Sequence, residues 1–248
     1  MLRPFNLIIA AVVAAGIALV LSVTLGGTSR DSEGAAQSGG NDVVIGLPYK
    51  VDAGYVRRSG QSPAVGFEII LPKRSEDTHT IGIDENPTGG IVQFNFHSAD
   101  EDFLESLFIA PIPIAAGDMD DRLAEIAPRL AEQGPELLRQ RFENVTAEPV
   151  REVMVGTYRA TELTGTYLDP RDEARYAYRF LALPDPERVQ SLYAVSHVNQ
   201  AYQSIDTPDA FADTLSGKAL SMLRLTAPPQ GGSGGGSGGQ AGATAASE

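Results

Sequence analysis

Three histidines, His79, His97 and His197, are the chain's only imidazoles, and there is no cysteine. A transition-metal site needs several such ligands converging on one point. His97 and His197 both fall in segments with strand character, so a sheet could bring them together. The simpler expectation puts His97 on a solvated or helix-covered face with Gln93 and Asn95. Carboxylates cluster in "SADEDFLE" (Ser98–Glu105) and "GDMDD" (Gly117–Asp121). Neither has the alternating oxygen ligands and turn glycine of a calcium loop. Asp118, Asp120 and Asp121 suit a helix N-terminus, whose partial positive charge favours acids. No serine of the body lies in Gly-x-Ser-x-Gly, and no glycine-rich phosphate loop precedes Lys-Ser/Thr. No catalytic residue, cofactor or metal site is therefore expected, and the chain reads as a non-enzyme. The alternative is an envelope hydrolase, or a small-ligand or metal-binding module, working from an Asp/Glu/His groove.

Two further groups bear on binding. Tyr158, Tyr167, Tyr176, Tyr178, Tyr193 and Tyr202 fall in or near strands. Such a set can line a ligand groove, or simply fill a half-buried sheet. "LFIAPIPIAAGD" (Leu107–Asp118) is the most apolar stretch outside the N-terminal run. Pro111 and Pro113 argue against a helix or a central strand there, since each lacks an amide donor. The segment is expected to be an edge or a loop. Either its neighbours cover it, or part of it stays exposed as a docking surface. The candidate partner-binding residues are Phe108, Ile109, Pro111, Ile112, Pro113 and Ile114. Asn144-Val145-Thr146 matches a glycosylation acceptor, which matters only in a eukaryotic secretory host.

The elements that must position these residues alternate in character. Val92, Phe94 and Phe96 alternate with Gln93, Asn95 and His97 in "IVQFNFHS", a strand pattern. "VGFEIILP" upstream reads as its partner strand. "YRATELTGTYL", "RYAYRFLAL" and "RVQSLYAVSHV" are three more strands, separated by the turns "DPRDE" and "PDPE". Connections that short join antiparallel neighbours. Met119, Leu123, Ile126 and Leu130 lie on one helical face, in a helix starting near Asp118 that Pro128 and Gly134-Pro135 should bend or divide. A second helix is expected from Thr207-Pro208 through Phe211, Leu215, Ala219 and Met222 toward Leu225. The order predicts an α+β fold, an antiparallel sheet packed by helices in α/β/α layers.

"GFEIILP", "GGIVQFNF", "GTYRATELTGTYL", "YAYRFLAL" and "RVQSLYAVSHV", with the two helices, span about Val65 to Leu225. In that order they resemble the PsbP-like superfamily, which includes photosystem accessory proteins, Mog-type Ran-binding proteins and bacterial DcrB-like envelope proteins. The resemblance implies this fold and an accessory or binding role. It supplies no shared catalytic motif.

Phe5–Leu25 is 21 residues without a charge, long enough to span a bilayer at 1.5 Å per residue. Its length and the lack of a small-x-small site after it favour an uncleaved anchor over a cleaved signal. The expected organisation is a transmembrane signal-anchor at 1–27, a flexible linker at 28–42, an α+β domain at 43–226 and a Gly/Ser-rich tail at 227–248. The domain should lie outside the cytoplasmic membrane, on the periplasmic side, as an accessory or binding protein. Its partners would be the membrane, through the N-terminal helix, and a protein. Setting aside Arg3 and Arg30, 17 basic residues face 32 acidic ones. That balance argues against nucleic acid.

Overall fold

The computed structural model describes residues 45–51, 65–73, 80–86, 91–112, 117–186 and 191–226. The expected anchor, the linker and the tail lie outside them, as do His79, Pro113 and Ile114. Among the described residues no helix is long and apolar enough to cross a membrane.

Ten strands form two antiparallel sheets. β1 (Ile45–Val51), β2 (Gly66–Lys73) and β10 (Arg224–Thr226) make a small sheet in the order β1-β2-β10. β3 (Thr80–Asn86), β4 (Ile91–His97), β5 (Phe103–Ile112), β6 (Arg151–Val155), β7 (Tyr158–Leu168), β8 (Arg175–Pro184) and β9 (Ser191–Asn199) make the large one. Its order is β3-β4-β5-β9-β8-β7-β6. The three long C-terminal segments pair as expected, and the α+β class with antiparallel sheets stands.

Several expectations change. β2 does not pair with β4, whose neighbours are β3 and β5. β2 instead lies in the small sheet, with Phe67, Ile69 and Leu71 buried against Phe94, Phe96, Leu107 and Leu181 of the large one. One outer layer is thus mainly a second sheet rather than helices. β4 is buried on both faces, Gln93 and Asn95 included, so its alternation reports polarity and not exposure. β5 is a central strand between β4 and β9. Its pairing with β4 ends at Val92↔Ile109, while Pro111 pairs across β9 with Leu192. Past Ile109 the strand is paired on one side alone among the described residues, where a residue without an amide donor is tolerated.

The helices also differ in detail. α1 (Met119–Arg139) runs on through Pro128 and Pro135. Asp118 caps it by accepting from the Asp121 amide at 2.9 Å, and Leu123, Ile126, Leu130 and Leu138 face the sheet. α1 packs on β7 and β8. Gly134 permits the close approach, since a Cβ there would sit 2.8 Å from Phe180 and 2.9 Å from Leu163. The expected C-terminal helix is two pieces, a 3-10 helix at Pro208–Asp213 and α2 (Leu215–Ser221). Thr214, not Thr207, is the side-chain cap, accepting from Gly217 N at 2.9 Å. The buried Glu105 carboxylate accepts from the Leu215 and Ser216 amides as well, tying α2 to β5.

Candidate functional site

Burial rules out the docking reading for Phe108, Ile109, Pro111 and Ile112, while Pro113 and Ile114 lie outside the described residues. Phe108 and Ile109 are fully enclosed, Ile112 nearly so, and Pro111 is buried with them. Phe108 and Ile112 enter the core beneath α1, and Ile109 enters the core between the sheets. They are apolar because β5 crosses the middle of the molecule, so both of its faces must be dry. The large side chains that are exposed, Ile70, Met154 and Tyr202, lie on β2, on β6 and after β9. Scattered singly, such residues form no patch.

The sheet instead assembles a polar cavity on its α1 face. In register, Asn95 of β4 faces Ser106 of β5, Ser106 faces His197 of β9, and His197 faces Tyr178 of β8. One row along, His97 faces Phe103, and Asn199, Tyr176 and Tyr167 continue across β9, β8 and β7. Antiparallel pairing puts paired side chains on one face. His97 and His197, exactly a hundred positions apart, therefore line the same pocket of about 280 Å³. The β4–β5 turn contributes Glu101 to its rim, and the β7–β8 turn contributes Asp169, Arg171 and Asp172.

Rings form much of the floor. Phe142, just after α1, stacks on Tyr167 at 4.2 Å between centroids, and Tyr167 stacks on Tyr176 at 5.3 Å. Phe103 lies 6.1 Å beyond, with His97 edge-on to it at 5.8 Å. His197 is 2 % exposed, and its Nδ1 lies 3.0 Å from the Tyr167 hydroxyl. Burial pushes this imidazole down to about 4, so it is neutral at neutral pH. Burial also lowers His97, with the charge of Glu101 opposing. Burial raises the Tyr167 and Tyr176 hydroxyls, keeping both protonated.

The acids are held differently. Burial pushes the Asp169 carboxyl up, but the hydrogen bonds and charge of Arg171 outweigh it and hold Asp169 below the usual carboxylate range. Arg171 donates to it from the backbone N at 3.0 Å and from Nε at 2.9 Å, with Nη2 on the other oxygen. Asp172 accepts from the Tyr176 hydroxyl at 2.8 Å and from Ala174 N at 3.0 Å, both neutral donors. Ser106 Oγ, deep in the floor between Asn95 and His197, is buried without a hydrogen-bond partner among the described residues.

The sequence singled out both histidines and the tyrosines, but gave no reason to choose "DPRDE" over any other turn. The remaining acids have structural roles: Asp118 caps α1, and Asp120 pairs with Arg159 at 2.7 Å. Tyr178 and Tyr158 bond to backbone groups, Thr146 O and Leu225 N. Among the described residues no three His, Asp or Glu side chains are placed to hold a metal ion.

No protein-family model matches the chain, and no curated protein does either. The resemblance to the PsbP-like superfamily read from the sequence is thus not accompanied by a family match. Among solved structures, LpqN, involved in cell envelope biogenesis of Mycobacterium tuberculosis, is 11% identical with a TM-score of 0.41, over 74% of this chain and 92% of that one. PA94 of Pseudomonas aeruginosa, a protein of unknown function, is 12% identical with a TM-score of 0.32, over 62% and 88%. Likeness at this level says nothing of what the chain does.

Proposed function

We propose that this protein is a membrane-tethered, extracytoplasmic accessory domain that binds a small ligand, without turning it over, in the pocket between His97, His197, Tyr167 and Asp172. The observation that carries the reading is the pocket itself: polar groups from four strands and two turns converge on one small, aromatic-floored cavity. Convergent polar groups in a concave site are the usual mark of ligand binding.

The same geometry favours binding over catalysis. Hydrolysis needs a nucleophile or a base free to act on substrate. Here His197 is engaged by Tyr167, Asp169 by Arg171, and Asp172 by Tyr176 and Ala174. The pocket lining has no serine or threonine, and the chain has no thiol. The location rests on the uncharged run Phe5–Leu25 and on the acidic balance of the rest of the chain.

The test is a small-molecule fragment screen by NMR on the full chain in neutral detergent. Ligand-induced shifts should centre on the Tyr167, Tyr176, His97 and His197 side chains. Hits that shift only other parts of the domain, or no hits at all, overturn the reading. So does substrate turnover that stops in Asp172→Asn.

A further inference from the structure

Taking that pocket as a ligand site, we propose that it selects a small organic cation, a protonated or quaternary amine, over neutral and anionic molecules of the same size. The charges around the cavity are unequally compensated. Arg171 is its one cationic side chain that stays charged at neutral pH, and Arg171 is spent on Asp169. Asp172 accepts its hydrogen bonds from neutral donors, the Tyr176 hydroxyl and Ala174 N. Glu101 stands on the opposite rim, at the tip of the β4–β5 turn with φ 66°. Three carboxylates, Glu101, Asp169 and Asp172, thus share the single guanidinium of Arg171 around a space whose other walls are rings and neutral hydrogen-bonding groups.

Those walls suit the same class of ligand. Phe103 and Tyr176 bring aromatic surface to the cavity, and the negative face of such a ring attracts alkylammonium groups, whereas Tyr167 is stacked against Phe142 and Tyr176. Asn95 and the two histidines, uncharged at neutral pH, add hydrogen-bonding groups without adding positive charge. An anion would meet Glu101 and Asp172 with no free cation to hold it. A divalent metal would find no three protein ligands converging among the described residues. A volume of about 280 Å³ lies just below the usual range for drug-sized ligands, and suits a molecule of about ten heavy atoms or fewer. The chain's formal charge of −13 raises the local concentration of cations before any contact is made.

The experiment compares four probes of matched size on the full chain in neutral detergent: butylammonium, tetramethylammonium, 1-butanol and butanoate. Affinity is read from shifts of the Tyr167 and Tyr176 ring resonances. An ammonium probe should bind at least about tenfold tighter than butanol, with butanoate weakest, and the gap should shrink as salt rises. Asp172→Asn should weaken ammonium binding several-fold and leave butanol unchanged. Glu101→Gln, on an exposed turn, provides the same comparison if the Asp172 variant folds poorly. Butanol or butanoate binding as tightly as the ammonium probes overturns the inference while leaving a ligand site in place. Ammonium affinity indifferent to both substitutions overturns it as well. No ring shift with any of the four overturns both the inference and the ligand reading of the pocket.

Discussion

Acidification to pH 5 should destabilise the domain through His197, and removing that imidazole should abolish the effect. In the unfolded chain a histidine titrates near 6.5, whereas burial holds His197 at about 4 in the fold. Between those values the unfolded state binds the extra proton, so stability rises with pH. The contribution is fully present above about 6.5 and is lost as pH falls toward 4. At pH 5 the unfolded imidazole is mostly protonated and the folded one mostly neutral, a loss of roughly 2 kcal/mol relative to pH 7.5. For a domain of this size that corresponds to about 4–8 °C in Tm. Other groups also move in this window. Burial lowers His97, which adds to the loss, and burial raises Glu105, which opposes it. His197→Gln isolates the one contribution, because His97 and Glu105 are common to both proteins. Calorimetry at pH 7.5 and 5 should show the variant losing less than the wild type by about that margin. Parallel losses in the two proteins refute the reasoning. If the variant folds poorly, NMR titration of the wild-type imidazole decides, and a His197 midpoint above 6 refutes it equally.

Other perturbations test the fold and the tether. Phe108→Ser should lower stability by about 3–5 kcal/mol, and Ile112→Ser by about 2–5, because both are core residues beneath α1; thermal melts at unchanged Tm would restore the docking reading. Gly134→Ala should lower Tm by a few degrees, since the strain of about 1–3 kcal/mol against Phe180 and Leu163 outweighs the helix propensity gained, about 1 kcal/mol; a raised Tm refutes the close approach. Arg179→Met should cost about 1–3 kcal/mol, because it removes the guanidinium that donates to the buried Glu162 at 2.5 Å and leaves that carboxylate with Arg151 alone among the described residues; urea midpoints equal to wild type refute it. Intact mass of the membrane-extracted protein should include residues 1–25; loss of about 25–30 N-terminal residues sinks the anchor.

What was legible in the sequence was whatever repeated with a short period. β4 alternates, β7, β8 and β9 are rich in Tyr, Val, Thr and Phe between short turns, and α1 follows Asp118 with its apolar face at helical spacing. β5 departs from its expectation because Pro111 carries a local rule that one-sided pairing relaxes. β2 was found but given the wrong partner, since alternation says which face is buried and not what covers it. The second helix was read through Thr214, although a threonine followed three residues later by Gly217 can start a new helix. The pocket was half legible: the two histidines were picked out and their meeting across the sheet was considered. Missing was the sheet order. His97 reaches His197 only because β9 inserts beside β5.

That insertion also explains why a polar site arises inside so apolar a sheet. The face toward β1, β2 and α2 carries Val92, Phe94, Leu107, Leu181 and Ala194, and these close into a core. The opposite face is apolar where α1 packs on β7 and β8, with Leu163, Phe180 and Val195. Toward the end beyond Phe142 the strands carry Asn95, Ser106, His197 and Asn199 on this face. Burying such groups costs stability unless they find partners, and the Tyr167 bond to His197 and the Asn199 bond to Phe103 O supply some of these. Ser106 Oγ has none among the described residues. A purely structural end to the sheet would be cheaper to build from Val and Leu, as the other face is. Two imidazoles, and three carboxylates sharing one guanidinium, around one small cavity are what the proposed cation site would use.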